Sequence, residues 1–213
     1  MFPDDTRNKI ENITTGVIIE GPLDNCTTIR NLLCASFATS TTVKKDFEGK
    51  SIIKEKQVQR LEEYCTKHNL WVTVDTAMYL TRGGEAKVYL ADDRKSVIKL
   101  NDGIYYATWL EFFNSLMLHN LIFPDTGYEL LGFFEEAAVL FAVLKQPFIT
   151  INTRAELSDI QKHLQFNGFT HSRRNDYIHQ ELGLILEDMH DENVILKDGS
   201  LFFIDTVFYV TNS

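Results

Sequence analysis

Three oxygen-bearing side chains lie close together in sequence near the end of the chain. Asp188 and Asn193 are five positions apart in a polar loop, and Asp205 follows an apolar strand. Between them Asp198-Gly199 is the dipeptide that most strongly predicts a tight β-hairpin, which would gather the three side chains at one edge of a small sheet. Mg²⁺ prefers oxygen ligands, and a nearby carboxylate can orient an attacking hydroxyl. The pattern is therefore typical of a phosphoryl-transfer site, although each residue taken singly could simply be loop solvation.

The arrangement D-x-H-x-x-N, strand, short hairpin and I-D resembles the catalytic loop of the protein-kinase-like superfamily. It is most similar to the compact kinase-like domains of bacterial polyvalent and mobile-element proteins. The resemblance implies that Asp188 is the catalytic aspartate and that Asn193 and Asp205 bind Mg²⁺. The chain differs from the family at Leu186, where a histidine is usual, and at Thr206-Val207, where Phe-Gly is usual. An activation switch that depends on that Phe and Gly is not implied.

Residues 78–100 alternate as strand, loop, strand, turn and strand, which predicts a small antiparallel sheet. Gly83 and Gly84 lie in the first connection, where they would let backbone N–H groups approach phosphates, although most Gly-Gly pairs are simply turns. Lys99 lies on an apolar strand, where it faces either solvent or a cleft. The resemblance favours the cleft, with Lys99 holding the nucleotide phosphates and Val88 covering the adenine.

A helix predicted over 105–121 contains Glu111 as its only carboxylate. Glu111 is therefore the candidate in the helix to pair with Lys99, as the resemblance implies, unless it faces water. His119, near the end of the same helix, is expected to be a surface residue that complements the helix dipole.

The hairpin predicted over 128–144 runs into Pro147, where the resemblance places the adenine-binding hinge. Pro147 has no N–H, so the usable backbone groups would be the carbonyl of Gln146 and the amide of Phe148. A strand that simply ends at proline is equally compatible with this stretch.

In the second half, Thr153 and Glu156 form a capping-box pattern that predicts a helix ending at Asn167-Gly168. A basic group at His171, Arg173 and Arg174 could help to bind an anionic substrate, although such a loop is more often solvated. Eight residues follow Asp205. The helices with which full protein kinases bind peptides are not expected there, so the phosphate acceptor is not inferred.

Composition describes an acidic globular protein. The 213 residues are 44% hydrophobic and 24% charged, with a net charge of −9, which argues against nucleic acid or an anionic membrane as a partner. Three cysteines without a CxxC pair favour reduced, packed thiols, and no signal peptide or membrane-spanning run is evident, so a cytoplasmic location is expected.

Before the predicted sheet, the pattern indicates a strand at 16–21, a helix at 27–37, a polar linker at 39–42 and a helix at 53–70 that stops at Asn69. The expected organisation is an accessory element at 1–50, an N-terminal lobe at 51–147 and a minimal C-terminal lobe at 148–213.

The expected fold is α+β and two-lobed: a small antiparallel N-lobe sheet and a truncated, mostly helical C-lobe, with ATP between them. The expected function is phosphotransfer from Mg·ATP to an unknown hydroxyl acceptor on a small molecule or protein. Two alternatives remain open: a pseudokinase or nucleotide-sensing module that transfers nothing, and a purely structural interaction domain.

Overall fold

A computed structural model describes residues 2–21, 24–37, 47–75, 78–84, 86–150 and 153–211. The fold class is α+β, as the sequence predicts. The described residues form five α-helices: α1 (Asp4–Thr14), α2 (Asn25–Phe37), α3 (Phe47–His68), α4 (Trp109–Ile122) and α5 (Leu157–Phe166). Among these described helices, none is long and apolar enough to cross a membrane.

The strands are short and are joined into three antiparallel sheets. In chain order they are β1 (Tyr79–Arg82), β2 (Ala86–Leu90), β3 (Ser96–Asn101), β4 (Glu129–Glu136), β5 (Val139–Pro147), β6 (Thr153–Arg154), β7 (Thr170–His171), β8 (Tyr177–His179), β9 (Leu184–Glu187), β10 (Val194–Lys197), β11 (Ser200–Phe203) and β12 (Val207–Val210).

The chain divides into two compact units. The Lys99 unit comprises Glu20–Phe113 and Tyr128–Phe148, and the Asp188 unit comprises Met1–Ile19, Asn114–Gly127 and Ile149–Ser213. The segment expected as one accessory element, 1–50, is thus shared between the units.

A five-stranded sheet in the order β1-β2-β3-β5-β4 forms the Lys99 unit's centre. Lys99 on β3 lies opposite Val88 on β2 and Leu144 on β5. Since directly opposed residues project from the same face, these three side chains lie side by side. The other face carries an apolar cluster of Tyr89, Leu100, Phe141 and Val143, whose burial fixes which way Lys99 projects.

Helix α3 holds the connection between β3 and α4. Lys54 Nζ donates to the carbonyl oxygens of Gly103 and Tyr106 at 2.6 and 2.9 Å. The buried Gln57 accepts through Oε1 from the Trp109 amide at 2.7 Å and the Leu110 amide at 3.3 Å. These bonds satisfy backbone groups that a helix start and a loop leave without partners.

The Asp188 unit is rich in strands, so the prediction of a mostly helical second lobe is wrong. It contains a three-stranded sheet, β11-β10-β6, and a four-stranded sheet, β12-β9-β8-β7. Helices α1 and α5 and the C-terminal part of α4 contribute to the same core, which includes Ile10, Leu118, Ile160, Leu186 and Phe203. The apolar runs of this half are short and alternate with tight turns, which suits strands rather than helices.

Two helix starts differ from the sequence prediction. Thr153 does not cap a helix, because Thr153–Arg154 is strand β6, paired with β10; α5 begins at Leu157 after Glu156, without a side-chain cap. Helix α4 begins at Trp109, four residues later than predicted, because residues 102–108 form the loop that α3 holds.

Elsewhere in the N-terminal half, α2 and α3 confirm the helices predicted there, and Asn69 ends α3 in a left-handed conformation with φ 55°. The strand predicted at 16–21 is wrong, because α1 ends there, with Gly16 at φ 72° and the Val17 amide donating to Asn12 O. The predicted linker at 39–42 lies outside the described residues. Cys26, Cys34 and Cys65 are free, buried thiols.

Candidate functional site

Asp188 begins the loop that joins β9 to β10. Its backbone adopts the left-handed conformation with φ 64°, which aspartate tolerates better than most residues. The Asp188 amide donates to Asp176 Oδ1 at 3.3 Å, and the next amide, of Met189, donates to Asn175 O at 2.9 Å. The turn is therefore held from the preceding β7–β8 connection, while the Asp188 side chain is 64% exposed.

Asn193 holds the Asp188 loop closed. Its side-chain amide Nδ2 donates to the Asp188 carbonyl at 2.9 Å and lies 3.3 Å from the carboxylate Oδ2. Because these bonds use the amide nitrogen, the Oδ1 oxygen remains as a potential ligand, and no described residue donates to it. The predicted proximity of Asp188 and Asn193 is thus observed.

His190 is a member of this loop that sequence reasoning passed over. Glu192 N donates to His190 Nδ1 at 3.2 Å, so Nδ1 must be the accepting nitrogen. In the neutral ring the proton then lies on Nε2, which is 3.2 Å from Asp188 Oδ1 and 3.4 Å from Asn193 Nδ2. The histidine of D-x-H-x-x-N could have predicted this proximity, because a side chain two residues after an aspartate can reach back to its carboxylate.

Asp205 lies between β11 and β12 and is half-buried. The preceding amide, of Ile204, donates to the Asn193 carbonyl at 3.0 Å, so the backbone beside Asp205 is joined directly to Asn193. The hairpin that brings these segments together is as predicted: Asp198 and Gly199 both have positive φ, 50° and 79°, and Lys197 pairs with Ser200.

An amide oxygen and a carboxylate suit Mg²⁺, which typically takes one or two protein oxygens and completes its shell with phosphate and water. Asn193 Oδ1 and the Asp205 carboxylate are oxygen donors of these two kinds. No group of three or more His, Cys, Asp or Glu side chains that could hold a metal occurs among the residues that the structure describes.

Lys99 is buried, with 6% of its surface exposed. The solvent-facing alternative for this lysine is therefore excluded. Its ammonium group lies 5.4 Å from the centre of the Tyr128 ring, a cation–π distance that stabilises a desolvated charge. Placing an ammonium group in a buried position costs free energy unless other groups compensate for its lost hydration.

Gly83 and Gly84 form the turn between β1 and β2. The Gly83 amide donates to Ala86 O at 3.0 Å. A side chain at Gly83 would meet nothing within 4 Å, whereas one at Gly84 would lie 3.4 Å from the Tyr105 hydroxyl. Neither glycine has a left-handed backbone conformation, so glycine is not required here by strain. Its effect is to leave the backbone of this turn accessible. Val88 follows on β2, directly opposite Lys99.

Residues 54–212 match the family model described as serine/threonine/tyrosine kinase found in polyvalent proteins. The chain belongs to this family. No curated protein and no solved structure matches it.

Within this polyvalent-type kinase domain, Glu111 makes contacts other than the predicted one. Its Oε1 is 3.2 Å from Lys50 Nζ, and its Oε2 accepts from the Ala107 amide at 3.0 Å. The Glu111 amide in turn donates to Thr108 Oγ1 at 3.1 Å. This reciprocal arrangement is close to a capping box at the start of α4. The structure therefore assigns Glu111 to the helix cap and an ion pair with Lys50, and the predicted pair with Lys99 is not formed.

The hinge prediction at Gln146 and Phe148 also needs correction. The Phe148 amide donates to Lys95 O at 2.8 Å, and Gln146 lies opposite Val97 in the β3–β5 pairing. Hydrogen-bonded pairs occur at every second position along antiparallel strands. Since Phe148 is bonded to Lys95, Gln146, two residues earlier, also directs its backbone groups toward β3. The kinase domain uses these groups to close its sheet, and Pro147 sits where an N–H would have no ladder partner.

Two further predictions concern basic groups in the kinase domain. His119 is fully buried rather than at the surface, and it bonds Thr206, the residue after Asp205. The loop with His171, Arg173 and Arg174 is an exposed turn, in which His171 Nε2 contacts Arg174 O at 2.6 Å and Arg173 lies 3.6 Å from Asp176. Since Asp176 also accepts from the Asp188 amide, this turn supports the Asp188 loop.

Burial also affects an acid next to the loop. The pKa of Glu187, which precedes Asp188, is raised, first by burial and then by the nearby carboxylates of Asp176 and Asp188, against the lowering effect of Arg173. The raised pKa means that the charged form of Glu187 is disfavoured relative to that of an exposed glutamate.

Proposed function

We propose that this domain transfers the γ-phosphoryl group of Mg·ATP to an acceptor hydroxyl. The observation that carries the proposal is the Asp188 loop, in which Asn193 is bonded to Asp188 and, through Ile204, to the segment that contains Asp205. A carboxylate, an amide oxygen and a second carboxylate are the side-chain types that phosphoryl transfer uses. Membership of a kinase family supports the same reaction.

Asp188 would position the acceptor hydroxyl and take its proton. Its exposed carboxylate leaves room for an acceptor, and His190 Nε2 lies 3.2 Å from one of its oxygens, Oδ1. As the acceptor oxygen bonds to the γ-phosphorus, the bond from that phosphorus to the β,γ-bridging oxygen breaks and the hydroxyl proton moves to Asp188. The ADP formed leaves with the electron pair of the broken bond.

Charge on the nucleotide would be met by three groups. Asn193 Oδ1 and the Asp205 carboxylate would hold Mg²⁺, which when bound neutralises phosphate oxygens and the charge that develops on the leaving group. Lys99 would bind the α- and β-phosphates, because its ammonium group donates hydrogen bonds and its charge attracts anions strongly in a low-dielectric setting. The backbone at Gly83 and Gly84 would approach the phosphates, and Val88 would contact the adenine.

A melting experiment with and without Mg·ATP tests the proposal. A ligand that binds only the folded state at about one hundred times its dissociation constant stabilises by about 2.7 kcal/mol, which is a rise of roughly 5–10 °C for a chain of this size. Lys99→Ala is expected to lose most of the rise. Lys87→Ala is the matched control, because Lys87 projects from the opposite face of the sheet and pairs with Glu136.

The same rise in the parent, Lys99→Ala and Lys87→Ala would place nucleotide binding elsewhere and contradict the roles assigned above. If Mg·ATP does not raise the melting temperature of the parent, the hypothesis of a purely structural interaction domain is favoured instead.

A second candidate function is nucleotide binding without turnover. The pairing of Glu111 with Lys50 favours it, because kinases of known mechanism use the helix glutamate to orient the strand lysine. ATP consumption in the presence of small alcohols and proteins separates the two candidates. Thermal protection by Mg·ATP together with consumption supports the transferase, and protection without consumption supports the binding module.

A further inference from the structure

Side chains from one helix and the turn that follows it hold the backbone on both sides of Asp205. Ser115 and His119 lie one helical turn apart on α4, and Thr126 lies in the 3-10 turn Pro124–Thr126. Ser115 Oγ accepts from the Phe208 amide at 2.9 Å. The other two residues contact positions 203 and 206, so all three flank Asp205 without being its sequence neighbours.

For a neutral His119 ring, the partners in this cluster assign the hydrogen-bond roles. His119 Nε2 lies 2.9 Å from the Thr126 carbonyl, which only accepts, so Nε2 carries the proton. In the neutral ring Nδ1 must then accept, and it lies 2.7 Å from Thr206 Oγ1, which donates. Thr126 Oγ1 donates to the Phe203 carbonyl. This series of hydrogen bonds therefore connects Thr206, the residue after Asp205, to Phe203, two residues before it, through His119 and Thr126.

Burial makes this connection hard to replace with water. The His119 side chain is 0% exposed, Thr126 is 1% exposed and Thr206 is 8% exposed. The ring of Phe123, from the end of the same helix region, stacks on Phe203 with a centroid distance of 4.1 Å. A buried polar group that loses its partner is costly, so removal of one hydroxyl should loosen the whole connection.

We propose that Thr206, His119 and Thr126, here called the Thr206 clamp, position Asp205 as a ligand for Mg²⁺. The inference rests on the proposed function for the role of Asp205, and it explains why threonine stands where related kinases usually have phenylalanine. A hydroxyl that donates to a buried imidazole fixes the residue after Asp205 through a directional bond. Thr206, His119 and Thr126 are positioning residues, because they act on the metal ligand through the backbone.

Thr206→Val and Thr206→Ser form the decisive pair of variants. Valine keeps the shape of threonine and removes the hydroxyl, whereas serine keeps the hydroxyl and removes a methyl group. Outer partners of metal ligands typically contribute a factor of 10 to 100 in metal affinity. The Mg²⁺ concentration needed for half-maximal ATP binding is therefore expected to rise at least about tenfold in Thr206→Val and to stay near the parent value in Thr206→Ser.

A second measurement needs no nucleotide. Amide hydrogen exchange in the segment 201–210 is expected to be about tenfold faster in Thr206→Val than in the parent, because the clamp protects this segment from local opening. Thr170→Val is the matched control, since Thr170 Oγ1 bonds the Ile178 carbonyl on an exposed strand. It should change neither measurement. Thr126→Val cuts the other end of the clamp and provides the same comparison if Thr206→Val does not fold.

Parent-like Mg²⁺ dependence in Thr206→Val, or equal effects of the valine and serine variants, would overturn the inference. Failure of the parent to bind Mg·ATP would overturn the proposed function instead. In that case the hydrogen-exchange comparison alone tests whether the Thr206 clamp holds the backbone around Asp205. Faster exchange in Thr206→Val that is confined to 201–210 supports the clamp, and unchanged exchange overturns it.

Discussion

At Asp188 two requirements meet in one residue. The backbone must tolerate a left-handed conformation, φ 64°, and the side chain must offer an exposed carboxylate oxygen while the other oxygen lies 3.2 Å from His190 Nε2. Aspartate and asparagine both tolerate this conformation. Only aspartate supplies a base, so the two requirements can be separated by experiment.

Asp188→Asn is expected to lower the rate of ATP consumption by about 10²- to 10⁴-fold, the usual contribution of a general base. Nucleotide affinity should change by less than about twofold, because the bond from Asn193 to the Asp188 carbonyl uses the backbone. The rate is measured with saturating Mg·ATP and an acceptor panel, and the affinity by calorimetry.

The matched control for Asp188→Asn is Asp198→Asn, which makes the same change at a left-handed position, φ 50°, in the β10–β11 turn. It should leave both quantities near the parent values. A parent-like rate in Asp188→Asn would rule out the assigned role of the carboxylate.

Among the elements, helix α4 shows how a local pattern is overridden by its surroundings. Thr108 and Thr153 each begin a Thr-x-x-Glu pattern, which is a capping-box signal. Only the first caps a helix, because Thr153 is drawn into strand β6 by pairing with β10. Which partner a backbone group finds depends on residues far away in sequence, and no local pattern contains that information.

The same reasoning explains which parts of the site the sequence could predict. The Asp198-Gly199 turn and the proximity of Asp188 and Asn193 follow from local geometry, and both are observed. The burial of His119 and the use of the Phe148 amide by Lys95 depend on tertiary packing, and both predictions failed. Lys99 is buried rather than facing solvent, as the family resemblance favoured and the local pattern did not.

Glu111→Ala is expected to lower the free energy of unfolding by about 1 kcal/mol, the usual effect of a lost cap. Mg·ATP affinity should remain near the parent value, because Glu111 contacts Ala107 N and Lys50 rather than Lys99. Urea denaturation gives the first quantity and a binding titration gives the second. Glu63→Ala, which removes an exposed ion pair with Arg60, should be nearly neutral. A large loss of nucleotide affinity in Glu111→Ala would restore its pairing with Lys99 as the functional contact.

For the molecule as a whole, the acidic composition and the fold determine different properties. The net charge of −9 concerns partners and solubility, whereas pH-dependent stability depends on the few groups whose pKa differs between the folded and unfolded chain. His179 is such a group. It is buried, its Nδ1 accepts from the Leu182 amide at 3.3 Å, and its Nε2 would lie 2.6 Å from a side chain at Gly168.

Burial lowers the pKa of His179, with Glu181 opposing the shift and Arg7 adding to it. As pH falls below the usual histidine value of about 6.5, the unfolded chain therefore takes up a proton that the folded chain does not. The contribution of His179 to stability is present above that pH and is lost below it, with a slope of at most about 1.4 kcal/mol per pH unit. Glu187, whose pKa is raised by burial, acts in the opposite sense.

Because these contributions oppose each other, the informative quantity is the difference between variants. His179→Asn keeps an acceptor for the Leu182 amide and removes the titration, so its free energy of unfolding should fall less than the parent's between pH 7.5 and pH 5.5. His68→Asn, at an exposed position near the end of α3, should follow the parent curve. Parallel curves for the parent and His179→Asn, measured by urea denaturation, would show that His179 takes up its proton equally in the folded and unfolded chain.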